Sequence, residues 1–101
     1  MNKYTELLKV SNPEKAQKNA FKYLDKNAIL YLSNHKNKKY AIYDPYINKY
    51  IHFGDIRYED YTKHLDKERK KRYLQRATNM HGKWKENKYS ANNLSINILW
   101  N

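Results

Sequence analysis

The residues best suited to chemistry lie together in the middle of the chain. His52, Asp55, Glu59, Asp60, His64 and Asp66 fall within fifteen residues. Carboxylates and imidazoles are the donors that hold divalent cations. A metal on Asp60, His64 and Asp66 would polarise a phosphodiester and activate water, which is the chemistry of a metal-dependent nuclease. The spacing matches no established zinc or magnesium motif, and each residue has a plainer use. Asp60 suits a helix cap, Asp66 the first turn of a helix, and His64 a hydrogen bond to backbone, while Arg57 or Lys63 can pair with the acids. Nucleophilic catalysis has less support: Ser11, Ser33, Ser90 and Ser95 sit in no Gly-x-Ser-x-Gly context. The two glycines stand 28 residues apart, so no phosphate-cradling loop is formed. This reading assigns no catalytic residue, no metal ligand and no cofactor.

The second constellation is DKERKKRYLQRA, which follows the acidic turn directly. Residues 63–88 carry ten Lys or Arg against three acids, a net +7. On a helical wheel Tyr73, Leu74 and Ala77 define a buried face, and Glu68, Arg72 and Gln75 point outward. Lys67 and Lys71 take one flank, Arg69 and Arg76 the other. Lys70 falls on the apolar side, so its stem must run along the surface to reach water. A helix with cations on several sides can lie along the phosphates of a duplex, with affinity that falls as salt rises. The candidate contacts are Lys67, Lys71, Arg72 and Arg76 on the helix, extended by Lys36, Lys38, Lys39, Lys83, Lys85 and Lys88 in flanking loops. Trp84, with Tyr46 and Tyr89, could stack on exposed bases. No zinc finger, helix-turn-helix or RNA-recognition signature accompanies them.

The elements that must position these residues follow from pattern. Residues 1–11 read as a polar lead-in with a helical turn over residues 5–10, ahead of a folded core over residues 12–100. Asn12 or Ser11 can cap a helix that opens on Pro13 and Glu14. Ala16, Ala20, Phe21 and Leu24 share one face of it, and Lys15, Lys18, Lys22 and Lys26 the other. That lysine row is either a solvated face or a second contact surface that would permit bridging. Residues 28–33, 40–43 and 49–53 read as three strands, the last stopped by Gly54, with Asp44-Pro45 opening the turn between the second and third. The C-terminal ANNLSINILW alternates like a strand, yet Ser90 as a cap with Leu94, Ile98 and Leu99 after it leans to a helix. The fold class expected is α+β, a small antiparallel meander of three strands packed by two or three helices in a single domain. Both faces of such a sheet would be rich in aromatics, and one should be covered by helices.

Charge frames the function. The 101-residue chain carries +11 and no cysteine, which excludes a disulfide framework and a thiolate zinc site. No apolar run approaches the roughly 20 residues that span a bilayer, the N-terminus has no secretory h-region, and a membrane is not the expected partner. Lys, Asn, Tyr and Ile make up 48 residues, the signature of AT-rich coding, so part of the lysine excess follows from base composition. That bias does not account for eleven tyrosines against two phenylalanines. Tyrosine combines an apolar ring with a hydroxyl that reaches water or phosphate.

KKYAIYDP, KYIHFGD, YEDYTKHLDKERKKRYLQRATN, GKW and YSANNLSINILW together resemble a small uncharacterised family from giant DNA viruses of amoebae and algae. The resemblance covers roughly residues 11–100, and IHFGD, YEDYTKH and NNLSINILW are its most specific parts. It implies a large DNA virus with an AT-rich genome, a setting in the virion, the infected-cell cytoplasm or the host nucleus, and a shared tyrosine–acid turn. The family brings no established activity. By analogy, viruses that compact and read large genomes need basic nucleic-acid-binding proteins. The expectation is non-sequence-specific binding of nucleic acid, double-stranded DNA ahead of RNA. Its rivals are a virion structural or host-interaction module and the metal-dependent nuclease.

Overall fold

Three strands form an antiparallel meander in the order β1-β2-β3: β1 (Leu30–Leu32), β2 (Lys38–Asp44) and β3 (Lys49–Asp55). The computed structural model describes residues 2–101. Leu30 pairs with Ile42 and Ile42 with Ile51; one row along, Leu32 pairs with Tyr40 and Tyr40 with Phe53. On β2 and β3 these rows point into the core, where Tyr40, Ile42 and Phe53 are buried, while Leu32 on β1 is exposed. The β2–β3 turn is closed by Asp44, which accepts the Tyr46 amide, and by Asn48 in a left-handed conformation, φ 55°. β3 does not stop at Gly54 as its sequence implies. The strand passes through it with φ 80° and ends at Asp55. Glycine reaches that conformation without the strain a Cβ would bring.

The helices behave as their caps dictate. α2 (Pro13–Tyr23) opens on Asn12, which accepts from the Lys15 amide. Its Ala16 and Ala20 are fully buried, but Phe21 is 40% exposed and leaves the expected apolar face. α3 (Tyr61–His64) is one short turn capped by Asp60, and α4 (Lys67–Thr78) is capped by Asp66. Leu65 separates them in the left-handed region, φ 55°, so the basic helix starts after Asp66 and not at Thr62. The C-terminal segment is helical: α5 (Ala91–Leu94), capped by Ser90, continues into a π-helical turn, Ser95–Leu99. Leu94, Ile98 and Leu99 are buried, so helical periodicity prevails over the apparent alternation.

One expectation is overturned at the N-terminus. Residues 1–11 are not a lead-in outside the core, because α1 (Lys3–Val10) is an eight-residue helix capped by Asn2. Its Leu7 is 2% exposed within the apolar cluster formed by Ala16, Ala20, Ile42, Phe53, Leu94, Ile98 and Leu99. Lys3 also ties α1 to the sheet by donating to the carbonyls of Ser33 and His35. The result is an α+β fold: a three-stranded sheet with helices against one face.

Candidate functional site

The acidic turn is built as a scaffold. Asp55 takes both Nε and Nη2 of Arg57, at 2.9 and 2.8 Å, and these bonds hold its carboxyl below the usual carboxylate range. Glu59 pairs with Arg69 at 3.0 Å. Asp66 accepts from the amides of Glu68 and Arg69 at the start of α4, and those amides lower its pKa. His64 accepts the Asp66 amide through Nδ1 at 2.9 Å. Asp60 is buried; its Oδ1 accepts from the Thr62 amide and hydroxyl, and its Oδ2 from the Lys39 ammonium at 2.8 Å. The acids are thus spent on caps and ion pairs. Among the described residues no group of three or more His, Asp or Glu side chains is placed to hold a metal ion.

Lys39 must therefore be removed from the predicted contact surface. It is 2% exposed, and its ammonium lies between Asp60 and the Val10 carbonyl. Burial pulls its pKa down, and the Asp60 charge opposes that pull. In sequence it ends a cationic stretch with Lys36 and Lys38 before it, and nothing local marks it as interior. The Asp60 partner is 21 residues away, whereas the sequence offers the nearer Arg57 and Lys63.

Between the end of β3, the turn after it and α4 lies a groove of about 840 Å³. Lys38, Asp55 and Glu59 line one side, Arg69, Arg72 and Arg76 the other, and Ser95, Leu99 and Trp100 form the floor. α4 is fixed over it by Tyr73, which stacks on Trp100 at 4.1 Å and 8° between planes. The Asn92 amide donates to the Ala77 carbonyl at its far end. Lys70, the misfit of the helical wheel, lies 4.6 Å over the Tyr61 ring, a cation–π contact that explains its half-buried position. Arg57 neutralises Asp55, Glu59 neutralises Arg69 and Asp60 neutralises Lys39. The groove's unbalanced charges are then Lys38, Arg72 and Arg76.

The remaining predicted contacts are dispersed. Lys67 and Lys71 are exposed on α4 outside the groove lining, and together with Arg72 and Arg76 they make no ion pair among the described residues. Lys36 is exposed in the β1–β2 connection. Lys83, Trp84, Lys85 and Lys88 lie on or beside a 3₁₀ turn, Trp84–Glu86. Trp84 is half-buried with Nε1 donating to the Met80 carbonyl, Lys85 lies 5.5 Å over its ring, and Lys88 lies 5.3 Å over the Tyr23 ring. Tyr89 is 7% exposed and is excluded from stacking on a base, while Tyr46 is 85% exposed and meets Tyr89 edge-on at 6.0 Å. Sequence reasoning missed Tyr58 on the rim and the Tyr73–Trp100 stack beneath α4. The stack joins residues far apart in the chain, and no local pattern announces it.

No curated protein and no solved structure matches the chain. Residues 28–77, which contain the whole sheet, the Lys39–Asp60 pair and all of α4 except its last residue, are similar to DUF5754, a family of unknown function.

Proposed function

We propose that this protein binds nucleic acid without sequence specificity, with α4 set against the phosphates of a DNA duplex. The carrying observation is that Lys67, Lys71, Arg72 and Arg76 are exposed cations without acidic partners among the described residues, on a helix held firmly by other side chains. Lys67 and Lys71 are four residues apart, as are Arg72 and Arg76, so each pair forms a row along the axis. The rows stand roughly 140° apart around the helix. A helix carrying two such rows can meet phosphates on both sides of a groove, whose width of about 12 Å admits it. Lys38, across the groove from Arg72 and Arg76, adds a third positive edge. Side chains arranged this way contact phosphate rather than base edges, and such contacts carry no sequence information.

The resemblance to a family of giant DNA viruses supports this reading: it suggests a large viral genome as the ligand and the virion, the infected-cell cytoplasm or the host nucleus as the setting. The nuclease alternative gains nothing from the acids, which serve as caps and ion-pair partners. Arg72→Ala/Arg76→Ala should weaken duplex binding by about tenfold or more while Lys18→Ala/Lys22→Ala on α2 changes it by less than about threefold, as read by electrophoretic shift. Equal loss from both double substitutions would mean that diffuse charge, and not α4, holds the duplex.

A further inference from the structure

The sheet has a second face, opposite the helices. Register places Tyr31, Ala41 and His52 in one row across the three strands and Tyr43 opposite Tyr50 in the next. The side chains of these rows alternate with those of the core. Tyr31, Tyr43 and Tyr50 are 51%, 41% and 54% exposed. Tyr50 meets both neighbours edge-to-face, Tyr43 at 5.3 Å and Tyr31 at 6.1 Å, which fixes the three rings as one surface. His35 lies flat on His52 at 3.4 Å and prolongs it. Single exposed aromatics are ordinary, whereas a contiguous set on one face marks a binding surface.

Charge decides the occupant. Lys3 reaches the carbonyls of Ser33 and His35 beside this face, Lys36 follows His35, and both Lys3 and Lys38 press on the His52 ring electrostatically. None of the side chains that the register assigns to the face is acidic. A second copy would bring these lysines, and two chains of +11, against each other. A polyanion that also offers flat apolar rings satisfies both halves of the surface. Single-stranded nucleic acid has that chemistry, and a duplex, with its bases already stacked inside, does not.

We propose that the open face of the sheet is a stacking site for unpaired nucleotides, with bases on Tyr31, Tyr43 and Tyr50 and phosphates on the lysines at its margin. This rests on the nucleic-acid reading above and adds to it a second ligand class, held by side chains other than the unpaired cations of α4. The test compares three fluorescent probes on the full chain: a short oligo-dT strand, an abasic deoxyribose-phosphate strand of the same length, and a duplex. Stacking predicts that oligo-dT binds at least about tenfold more tightly than the abasic strand, since each stacked base contributes about fivefold or more and three rings are offered. Tyr31→Thr/Tyr43→Thr/Tyr50→Thr should abolish the difference and leave duplex affinity unchanged, while Tyr50→Phe preserves it. The abasic comparison needs no variant, so it decides the matter even where the triple substitution fails to fold. Equal binding of the two strands alongside duplex binding would overturn the stacking site alone. Failure of every probe to bind would overturn the nucleic-acid reading, and the stacking site with it. A dimer that dissociates on the triple substitution, with oligo-dT binding unchanged, would assign the face to a second copy and overturn the proposal.

Discussion

The Lys39–Asp60 pair shows how one residue can join three elements. Asp60 caps α3, its amide donates to the Val10 carbonyl at the end of α1, and its carboxylate fixes an ammonium carried by β2. Around it Ser11 shares hydrogen bonds with Tyr40 at 2.7 Å and Thr62 at 3.2 Å, and the Asn12 amide donates to Thr62. Burial drives the Tyr40 hydroxyl's pKa well upward, so it stays neutral in this network. Removing one member of a buried pair leaves the other charge stranded, which typically costs 3–5 kcal/mol, about as much as a small domain can lose and remain folded. Asp60→Asn should lower urea-unfolding stability by about that amount, and adding Lys39→Met should restore about 1 kcal/mol or more. Strict additivity of the two would show that they do not interact. The histidines give a pH dependence with a definite sign. Burial lowers the pKa of both His52 and His64, and His64 must keep Nδ1 unprotonated to accept the Asp66 amide. Unfolded histidine titrates near 6.5, so between that value and the lower folded values the unfolded chain holds more protons. Stability is full above about pH 6.5 and falls as pH drops through the folded pKa values. The melting temperature should therefore fall between about pH 7.5 and about pH 5, and His64→Gln should flatten part of that fall.

At the scale of elements, the sequence is informative wherever a local rule acts alone. Asn12-Pro13, Asp60 and Ser90 each announce a helix start, and all three caps are in place; Asp66, expected inside a first turn, instead caps α4. The three strands follow from alternation flanked by turn residues, and the expected pair of aromatic faces is present with one of them covered. Local rules fail where tertiary contacts supply the reason. α1 contributes only Leu7 to the core and so shows no apolar stripe. Lys39 looks like any surface lysine until Asp60 is brought to it. Gly54 reads as a stop, yet its role is close approach. A Cβ there would lie 2.8 Å from Leu99 Cδ1 and 3.1 Å from Lys39 Cβ, and the backbone is at φ 80°. Left-handed strain costs about 1–2 kcal/mol and overpacking about 1–3 kcal/mol, so Gly54→Ala should destabilise by about 2–5 kcal/mol in chemical or thermal unfolding. A loss below about 1 kcal/mol would mean that the strand end and the π-helical turn can shift apart freely.

Across the whole molecule, the charge divides into a structural part and a free part. Lys39, Arg57 and Arg69 are used to hold the acidic turn, and Lys70 is used against Tyr61. Lys67, Lys71, Arg72 and Arg76 make no ion pair among the described residues and are the proposed seat of binding. The sequence revealed the basic helix and most of its outward cations, but not the groove beside it, because the groove depends on the turn after β3 and on the C-terminal Trp100 meeting α4. The most direct measurement is duplex affinity across a salt series from about 50 to about 200 mM. Each neutralised phosphate contributes a slope of about −0.9 in log K against log salt, so four cations predict a slope near −3.6 and a loss of about 10²-fold over that range. Arg72→Ala/Arg76→Ala should make the slope shallower by about two. Binding that is absent at the lowest salt, or indifferent to salt across the series, would contradict the account.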